Sequence, residues 1–338
     1  MGAGAPKISI VIAGRNAGHT LTPCLRAISE SHQTPDECIV VDDASTDGSA
    51  DIVRRFEATL LTCAIRGGPA KARNLGAECA TGDLLIFLDA DVCVHPDTVG
   101  RILEHFQNEP PPVAVIGSYD DNPTERSFIS QYRNLLHCFT HRHGRPHAST
   151  FWCGCGAIWR AAFLLHGGLP ETYDRPSVED IAFGHQLGAS GAEIRLDPRI
   201  VVTHLKRWSF LNMVRTDVWD RAIPWTRLIF STQFMPDDLN LRIDQRASVG
   251  LAFAAIACAV LGHPIVGIFP VLALILLNRA FYAFLWARRG AWFAIRAVPL
   301  HLFYYLYSGV AFCMGAVAFF CSTRPPELKR IRPEAPNA

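Results

Sequence analysis

Asp89 and Asp91 are separated by one residue and follow an apolar segment, an arrangement that can hold a metal ion. Residues 84–88 are apolar throughout, as in a strand that is covered on both faces of a sheet. Ligands of open α/β sheets bind beyond the carboxyl ends of the strands, and paired carboxylates there suit a hard divalent cation that holds a diphosphate. The alternative is a strand followed by an acidic turn, because aspartate is common in turns.

Strand and helix patterns alternate through the first 91 residues, and they predict the scaffold that positions these carboxylates. The predicted strands cover residues 7–12, 37–41, 61–65 and 84–88, and the predicted helices cover residues 20–31, 49–60 and 69–79. Repeated strand–helix units predict a mostly parallel sheet with right-handed crossovers and flanking helices. The leading fold class is therefore a nucleotide-binding α/β domain.

Two further motifs follow this region. Gly154 and Gly156 lie between apolar flanks and would let the backbone approach a ligand closely, although a simple bulge explains them equally. Glu179 and Asp180 lie in the first turn of a predicted helix, a position that favours carboxylates regardless of function. The remaining predicted elements are helices at residues 97–106 and 127–140 and a strand at residues 113–117.

Composition and spacing exclude several other kinds of site. The net charge of +1 argues against a nucleic-acid partner. The eleven cysteines are mostly scattered, as in a reduced cytosolic domain, and Cys153 and Cys155 lack the second pair of ligands that a zinc site needs. The apolar run at residues 8–13 is too short for a signal peptide, so we expect the amino-terminal domain in the cytoplasm. Four histidines are spaced too loosely for a metal cluster and predict a basic loop near an anionic ligand or lipid: His137, His141, His143 and His147.

The last third of the chain is apolar enough to attach the protein to a membrane. Uncharged stretches cover residues 247–261, 265–277 and 297–321, which predicts two or three transmembrane helices, the first of them short enough to be re-entrant. Arg288 with Arg289, and the basic residues at 324–332, cannot both be cytoplasmic across a single final span. The predicted organisation is a catalytic domain at 1–208, an interfacial amphipathic helix region at 209–246, transmembrane helices at 247–323 and a polar tail at 324–338. An ordinary surface helix is the alternative for the second region.

Five motifs, in this order, resemble those of family 2 glycosyltransferases over residues 7–208. They are residues 8–12 with Arg15 and Asn16, residues 40–49 around Asp42 and Asp43, residues 72–76 around Arg73, residues 82–91 ending in Asp89 and Asp91, and Glu179 with Asp180. The resemblance implies a GT-A fold, a nucleotide-sugar donor, a divalent cation (Mg²⁺ or Mn²⁺) and inversion at the anomeric carbon.

The resemblance also implies a role for individual positions. Asp43 would bind the nucleobase and Arg73 would lie near the nucleotide. Asp91 would be the principal metal ligand with Asp89 beside it, and Asp180, next to Glu179, would be the general base. The loop from Gly154 to Gly156 would shape the pocket for the sugar and the acceptor.

His204, Arg207 and Trp208 form a His-x-x-Arg-Trp sequence that is similar to the Gln-x-x-Arg-Trp motif of processive polysaccharide synthases. His204 would complete the metal site from the end of a strand, and a structural core histidine is the alternative. Arg207 and Trp208 would contribute to the donor site. The altered first residue and the small number of apolar helices argue against a processive enzyme.

The expected function is an inverting, metal-dependent glycosyltransferase that acts on a lipid or polyprenyl-linked acceptor at the cytoplasmic membrane face. If the acceptor is already a phosphate, Asp180 would position it rather than deprotonate it. The alternatives are a processive polysaccharide synthase and a catalytically silent nucleotide-sugar-binding membrane protein. The silent protein is disfavoured because it need not keep Asp43, Asp89, Asp91 and Asp180.

Overall fold

One eight-stranded sheet forms the centre of the computed structural model, which describes residues 5–173 and 175–322. The strands are β1 (Ile8–Gly14), β2 (Glu37–Asp42), β3 (Thr59–Thr62), β4 (Leu84–Asp89), β5 (Val92–Val94), β6 (Ala114–Tyr119), β7 (Cys155–Trp159) and β8 (Ile194–His204). Their order across the sheet is β3-β2-β1-β4-β7-β6-β8-β5.

The helices that cover the sheet are α1 (Gly18–Ser29), α2 (Ser49–Val53), α3 (Pro69–Cys79), α4 (Thr98–Gln107), α5 (Phe128–Arg142), α6 (Arg160–Leu165) and α7 (Glu179–Ala189). Alternate strand residues face opposite layers. Ile86 of β4 packs in one buried cluster with residues of α1 and α4, and Phe87 packs in the other with residues of α3, α6 and α7. Both faces of the sheet are therefore covered, as the apolar run at residues 84–88 predicts.

The predicted fold class is confirmed, and the parallel arrangement is clearest in the first half of the sheet. Strands β3, β2, β1 and β4 are all parallel to their neighbours. Beyond β4 the sheet is mixed, because β7 runs antiparallel to both β4 and β6 and β5 runs antiparallel to β8. The second predicted helix, residues 49–60, is wrong in its extent. It ends at Val53 because Leu60 and Leu61 pair with Val40 and Val41 of β2.

A group of helices follows the sheet domain. They are α8 (Phe210–Arg215), a π-helical segment (Thr216–Ala222), α9 (Ile223–Thr232), α10 (Ile243–Val260), α11 (Ile268–Leu277), α12 (Arg279–Arg289) and α13 (Ala291–Phe320). In the described part of the chain, α10 and α13 are long and apolar enough to cross a membrane. The pair α11 and α12 is bent by 67° and would add a third only as a broken span. The predicted tail at 324–338 lies outside the described residues.

Candidate active site

A cleft of about 460 Å³ opens at the carboxyl ends of β1, β2 and β4, the edge at which the parallel half of the sheet is expected to bind ligands. Its wall is rich in charged and polar side chains, including Arg15, Asn16, His19, Asp43, Arg66, Arg73, Asp89, Asp91, Lys206 and Arg207. Half of these side chains are cationic, which suits a ligand that carries phosphate groups. Arg66 and Lys206 were not among the residues predicted from sequence.

Asp43 directly follows β2 and holds the loop that leads into α3. Its carboxylate accepts hydrogen bonds from the backbone N–H groups of Gly67, at 2.7 Å, and Gly68, at 3.0 Å. Gly68 has a φ of 88°, a backbone conformation that favours glycine. Asp43 therefore lies at the cleft wall and also fixes the shape of the loop that contains Gly67 and Gly68.

Arg73 joins two predicted functional motifs through one buried guanidinium group. Its Nη2 lies 2.6 Å from Oδ1 of Asp89, and its Nη1 lies 3.1 Å from Oε1 of Glu179. The second carboxylate oxygen of Glu179 accepts a hydrogen bond from the backbone N–H of Ser177 at 2.8 Å. The carboxylates of Asp89 and Glu179 thus share the single positive charge of Arg73, and the acidic start of α7 is held against the end of β4.

Asp91 and His204 meet because β5 and β8 pair directly after the β4 end. The backbone N–H of Leu205 donates to the carbonyl oxygen of Asp91 at 2.8 Å, and Nε2 of His204 lies 3.6 Å from Oδ2 of Asp91. Burial raises the pKa of Asp91, but the charge of His204 and a hydrogen bond to it lower that pKa to about 2. Asp91 is therefore ionised at neutral pH.

The imidazole of His204 is held by two residues that sequence reasoning missed. Nδ1 of His204 lies 2.6 Å from Oδ1 of Asn134, and the amide nitrogen of Asn134 donates to the carbonyl oxygen of Lys206 at 3.5 Å. Because Nδ1 donates to Asn134, it keeps its hydrogen, and loss of the Nε2 proton that faces Asp91 in the charged ring would leave Nε2 free to bind a metal ion. The ring of Tyr119 stacks on the imidazole at a centroid distance of 4.3 Å. No sequence signal pointed to Asn134 or Tyr119, because they lie on α5 and β6, far from His204 in the chain.

A divalent cation fits between Asp91 and His204. Metal–ligand bonds of about 2.1 Å place neighbouring ligand atoms about 3–3.5 Å apart, close to the 3.6 Å between Oδ2 and Nε2. Among the described residues, no group of three or more His, Cys, Asp or Glu side chains could hold a metal ion. Asp91 and His204 would supply two protein ligands to such a cation.

Asp180 lies in the first turn of α7, next to Glu179. We call the two ion pairs of Arg73, with Asp89 and with Glu179, the Arg73 bridge. Oδ1 of Asp180 accepts a hydrogen bond from the backbone N–H of Ile181 at 2.8 Å. Burial and then the charge of Glu179 raise the pKa of Asp180 to about 7, while Arg73 opposes that shift. The carboxyl can thus gain or lose a proton near neutral pH, as a general base requires.

Three of the predicted binding residues do not line the cleft. Gly156 belongs to β7, where a β-carbon would lie 2.5 Å from the carbonyl oxygen of Trp152, and a β-carbon at Gly154 would lie 2.5 Å from the Trp152 ring. Trp208 is buried, and its backbone N–H donates to Oγ of Ser130 at 2.8 Å. These residues set the packing around the site, whereas Arg207 lines the cleft itself.

The interpretation of four histidines as a basic loop is wrong for two of them. His137 and His141 lie half-buried on α5, and both rings stack near Tyr119. Nη1 of Arg221 donates to Nε2 of His137 at 2.9 Å. Burial and then the charges of Arg133 and Arg221 hold the pKa of His137 well below its usual range. It is therefore neutral and accepts that hydrogen bond.

Comparisons with known proteins agree with this geometry. The sequence model of Glycosyl transferase family 2 matches residues 9–166. Poly-beta-1,6-N-acetyl-D-glucosamine synthases of Staphylococcus epidermidis and of Staphylococcus aureus strain COL are 23% and 22% identical over 232 residues, covering 65% of this chain and 54% of each relative. The chain thus spans about half the length of the curated relatives it matches.

Two solved structures share the fold. A mannosyltransferase from Pyrobaculum calidifontis, solved in complex with GDP-Man and Mn²⁺, has a TM-score of 0.53 at 18% identity and aligns over 94% of this chain and 88% of its own. GalNAc-T7, solved with UDP, GalNAc and Mn²⁺, has a TM-score of 0.51 at 16% identity, with coverage of 73% and 51%. At 16% and 18% sequence identity, these similarities show a shared fold and not a shared activity.

The sheet order, the cleft at its carboxyl edge and these structural likenesses define a domain with the GT-A fold. Residues 9–166 match the family model, so this part of the chain is a family 2 glycosyltransferase domain.

Proposed function

We propose that this protein is an inverting, divalent-cation-dependent glycosyltransferase that moves a sugar from a nucleotide-sugar donor to a lipid or lipid-linked acceptor at the cytoplasmic membrane face. The Arg73 bridge carries this proposal. By binding Asp89 and Glu179 together, it places the metal-binding candidate Asp91 next to one end and the base candidate Asp180 next to the other. In a metal-dependent inverting transfer, the cation stabilises the leaving diphosphate and the base activates the acceptor on the opposite face of the same sugar.

The donor's phosphates would lie among the cationic side chains of the cleft. Arg15, Arg66 and Lys206 approach the cleft from three different loops. Asp43, at the end of β2, would contact the nucleobase. GDP-Man and UDP accompany the two related structures, which supports a nucleotide in this cleft without identifying its base or sugar.

Asp91 and His204 would hold the cation, with Asp89 beside them. A bound divalent cation would neutralise the negative charge that develops on the leaving diphosphate. Both solved structures that share the fold contain Mn²⁺, which supports a metal ion between Asp91 and His204. Mg²⁺ also prefers oxygen ligands.

Asp180 would take the acceptor's proton. The acceptor oxygen forms a bond to the anomeric carbon as the bond from that carbon to the diphosphate breaks, and the hydroxyl proton passes to the Asp180 carboxylate. Its pKa of about 7 leaves a substantial ionised fraction at neutral pH. An acceptor that is already a phosphate has no proton to give, and Asp180 would then orient it.

The apolar helices support a lipid acceptor. Helices α10 to α13 expose large apolar side chains over most of their length, among them Ile256, Val260, Phe269 and Val317. Large exposed apolar surfaces mark membrane or protein contact sites, and the length of these uncharged segments favours a membrane. A sugar attached to a lipid at that surface would be transferred without leaving the membrane.

A processive polysaccharide synthase is the second candidate. The curated relatives are named as poly-beta-1,6-N-acetyl-D-glucosamine synthases, and His204, Arg207 and Trp208 resemble the motif of such enzymes. The third candidate is a nucleotide-sugar-binding membrane protein without catalytic activity.

One assay separates the three candidates. Purified full-length protein in detergent is given a panel of nucleotide sugars, Mn²⁺ or Mg²⁺ and a bacterial lipid extract; release of nucleoside diphosphate and the masses of the lipid products are measured. A lipid that gains one sugar supports the proposal, and a ladder of masses supports the processive enzyme. The Asp91→Ala and Asp180→Asn variants should release little nucleotide, while Asp51→Asn, in an exposed pair with Arg54, should act like the parent. No release with any donor, or full activity of both site variants, would refute the enzyme.

A further inference from the structure

The helix of residues 210–232 lies lengthwise on the catalytic domain. Met213 packs with Tyr132 of α5, and Leu228, near the other end, packs with Val178 and Ala182. These contacts are separated by about 22 Å along the helix at 1.5 Å per residue. Between them, Asp217 forms an ion pair with Arg133 and Arg221 reaches His137. The helix is therefore parallel to the surface of the domain.

Helix α13 runs side by side with that helix over most of its length. Phe303 stacks on Phe210 at 5.6 Å, and Phe319 stacks on Phe230 at 5.6 Å. Between these points, the hydroxyl of Tyr307 donates to Oδ2 of Asp217 at 2.6 Å.

The start of α13 also contacts the domain directly. Phe293 meets Phe128 of α5 at a centroid distance of 5.0 Å. From residue 293 to residue 319, about 39 Å of helix thus lies beside the domain or beside the helix attached to it. A helix that crosses a bilayer would leave the domain at one end, because the hydrocarbon core is about 30 Å thick.

Helices α10 and α11 form a hairpin, and α12 leads the chain from it back to the domain. Before α10, Nη1 of Arg242 donates to the carbonyl oxygen of His143 at 2.9 Å. After α12, Nη2 of Arg289 donates to the carbonyl oxygen of Asp121 at 2.8 Å. The side-chain amide of Asn278 donates to Oγ of Ser248 at 2.9 Å, so the end of α11 lies beside Ser248 of α10.

The hairpin is too short to cross a bilayer. Between Ser248 and the end of α10 at Val260, it extends about 18 Å, against about 30 Å for the hydrocarbon core. Its tip is highly exposed and apolar, with Val260 at 79% and Ile265 at 77% exposure. A hydrogen-bonded group of Gln245, Ser248, Asn278 and Tyr305 lies at its base, largely buried, and ties the hairpin to α13.

The described basic residues near the hairpin agree with a single side. Arg242 and Arg246 precede α10, and Arg288 and Arg289 end α12. The hydrogen bonds of Arg242 and Arg289 to the domain hold both groups on the domain side of the hairpin. Cations at that level can contact anionic headgroups.

We infer that the protein is monotopic: α13 lies in the plane of one leaflet, the α10–α11 hairpin dips into that leaflet and returns, and no described helix spans the bilayer. The partner of this surface is a lipid leaflet with anionic headgroups. The inference rests on the membrane association in the proposed function and is independent of catalysis. Length and apolar composition alone make α10 and α13 candidates for spans, but their packing places them beside the domain.

Two native cysteines test this arrangement without any mutation. Cys79 is exposed on the catalytic domain, and Cys321 is exposed at the end of α13. The full-length protein is expressed in bacteria, and sealed vesicles of both orientations are treated with a membrane-impermeant maleimide. Mass spectrometry then locates the label, with buried Cys24 and Cys155 as markers of intact folding. A His263→Cys variant adds a probe at the hairpin tip.

We expect Cys79 and Cys321 to react from the same face and neither to react in vesicles of opposite orientation. The cysteine at position 263 should react only after detergent is added. Reaction of Cys321 solely from the face opposite Cys79, its protection from both faces, or reaction at position 263 from the opposite face would overturn the inference. So would a protein that fails to float with vesicles containing anionic lipid. Sugar transfer measured in the same vesicles reports separately on the proposed function.

Discussion

Nε2 of His204 lies 3.6 Å from Oδ2 of Asp91, and the other ring nitrogen of His204 is bound to Asn134 at 2.6 Å. The pair joins the β4 end to the β8 end, with Asp91 lining the cleft and His204 buried behind it. Asn134 selects the tautomer that leaves Nε2 available, as partners of metal-binding histidines do. Asn134 is thus a positioning residue for the candidate metal site.

Replacing Asn134 should weaken metal binding before it affects anything else in the cleft. We expect Asn134→Leu to lower the affinity for Mn²⁺, in the presence of nucleoside diphosphate, by about 10-fold to 100-fold, and His204→Ala to lower it further. Electron paramagnetic resonance of free Mn²⁺ measures this without turnover. Asn108→Leu, at an exposed helix end, is the matched control. Parental Mn²⁺ affinity in both site variants would show that His204 is a structural residue.

The pH dependence of transfer should report the ionisation of Asp180. Because the pKa of Asp180 is raised to about 7 and the base must be ionised, kcat/KM should rise about tenfold per pH unit below pH 7 and level off above it. Initial rates from pH 5.5 to pH 8.5 with a hydroxyl acceptor measure this. A phosphate acceptor should flatten the acidic limb. Asp180→Asn should retain no such limb, and an unchanged profile in that variant would exclude Asp180 as the base.

The same carboxyl should destabilise the fold as pH rises. In the unfolded chain an aspartate has a pKa of about 3.9, whereas the folded pKa of Asp180 is about 7. The folded state therefore keeps a proton that the unfolded state releases, and stability from this group is lost between these values. We expect Asp180→Asn to raise Tm relative to the parent at pH 8 and to change it little at pH 4. Thermal unfolding in detergent at both values measures the difference; an equal shift at both would contradict the assignment.

Removing only Arg73 from the Arg73 bridge should lower the free energy of unfolding considerably. Arg73→Met leaves the buried carboxylate of Glu179 without its cation, which costs about 3–5 kcal/mol of unfolding free energy. Arg73→Met combined with Glu179→Gln should recover part of that loss, because the unpaired charge is removed. Arg54→Met, in an exposed pair with Asp51, should cost less than about 1 kcal/mol. Denaturant unfolding measures all three, and equal stability of Arg73→Met and Arg54→Met would show that the bridge is not a stabilising contact.

Local patterns predict the elements near the cleft well. The helix at residues 69–79 and the buried strand that precedes Asp89 both follow from signals within a few residues, namely a proline in the first turn and an uninterrupted apolar run. The helix predicted at 49–60 is the counterexample. Its apolar spacing is helical, but Leu60 and Leu61 are needed as a strand beside β2. Tertiary pairing overrides local preference there.

The sequence by itself determined the α/β class, the order of the five motifs, the position of Asp91 after a buried strand and the excess of apolar residues in the last third. These properties depend on neighbouring residues and on their periodicity. Only the tertiary structure decided that Arg73 neutralises Asp89, that Asn134 orients His204 across 70 residues of sequence, and that Gly156 serves packing. It also placed α13 along the domain. The reason is physical: hydropathy measures how apolar a helix is, whereas contacts between distant segments determine what the helix lies against.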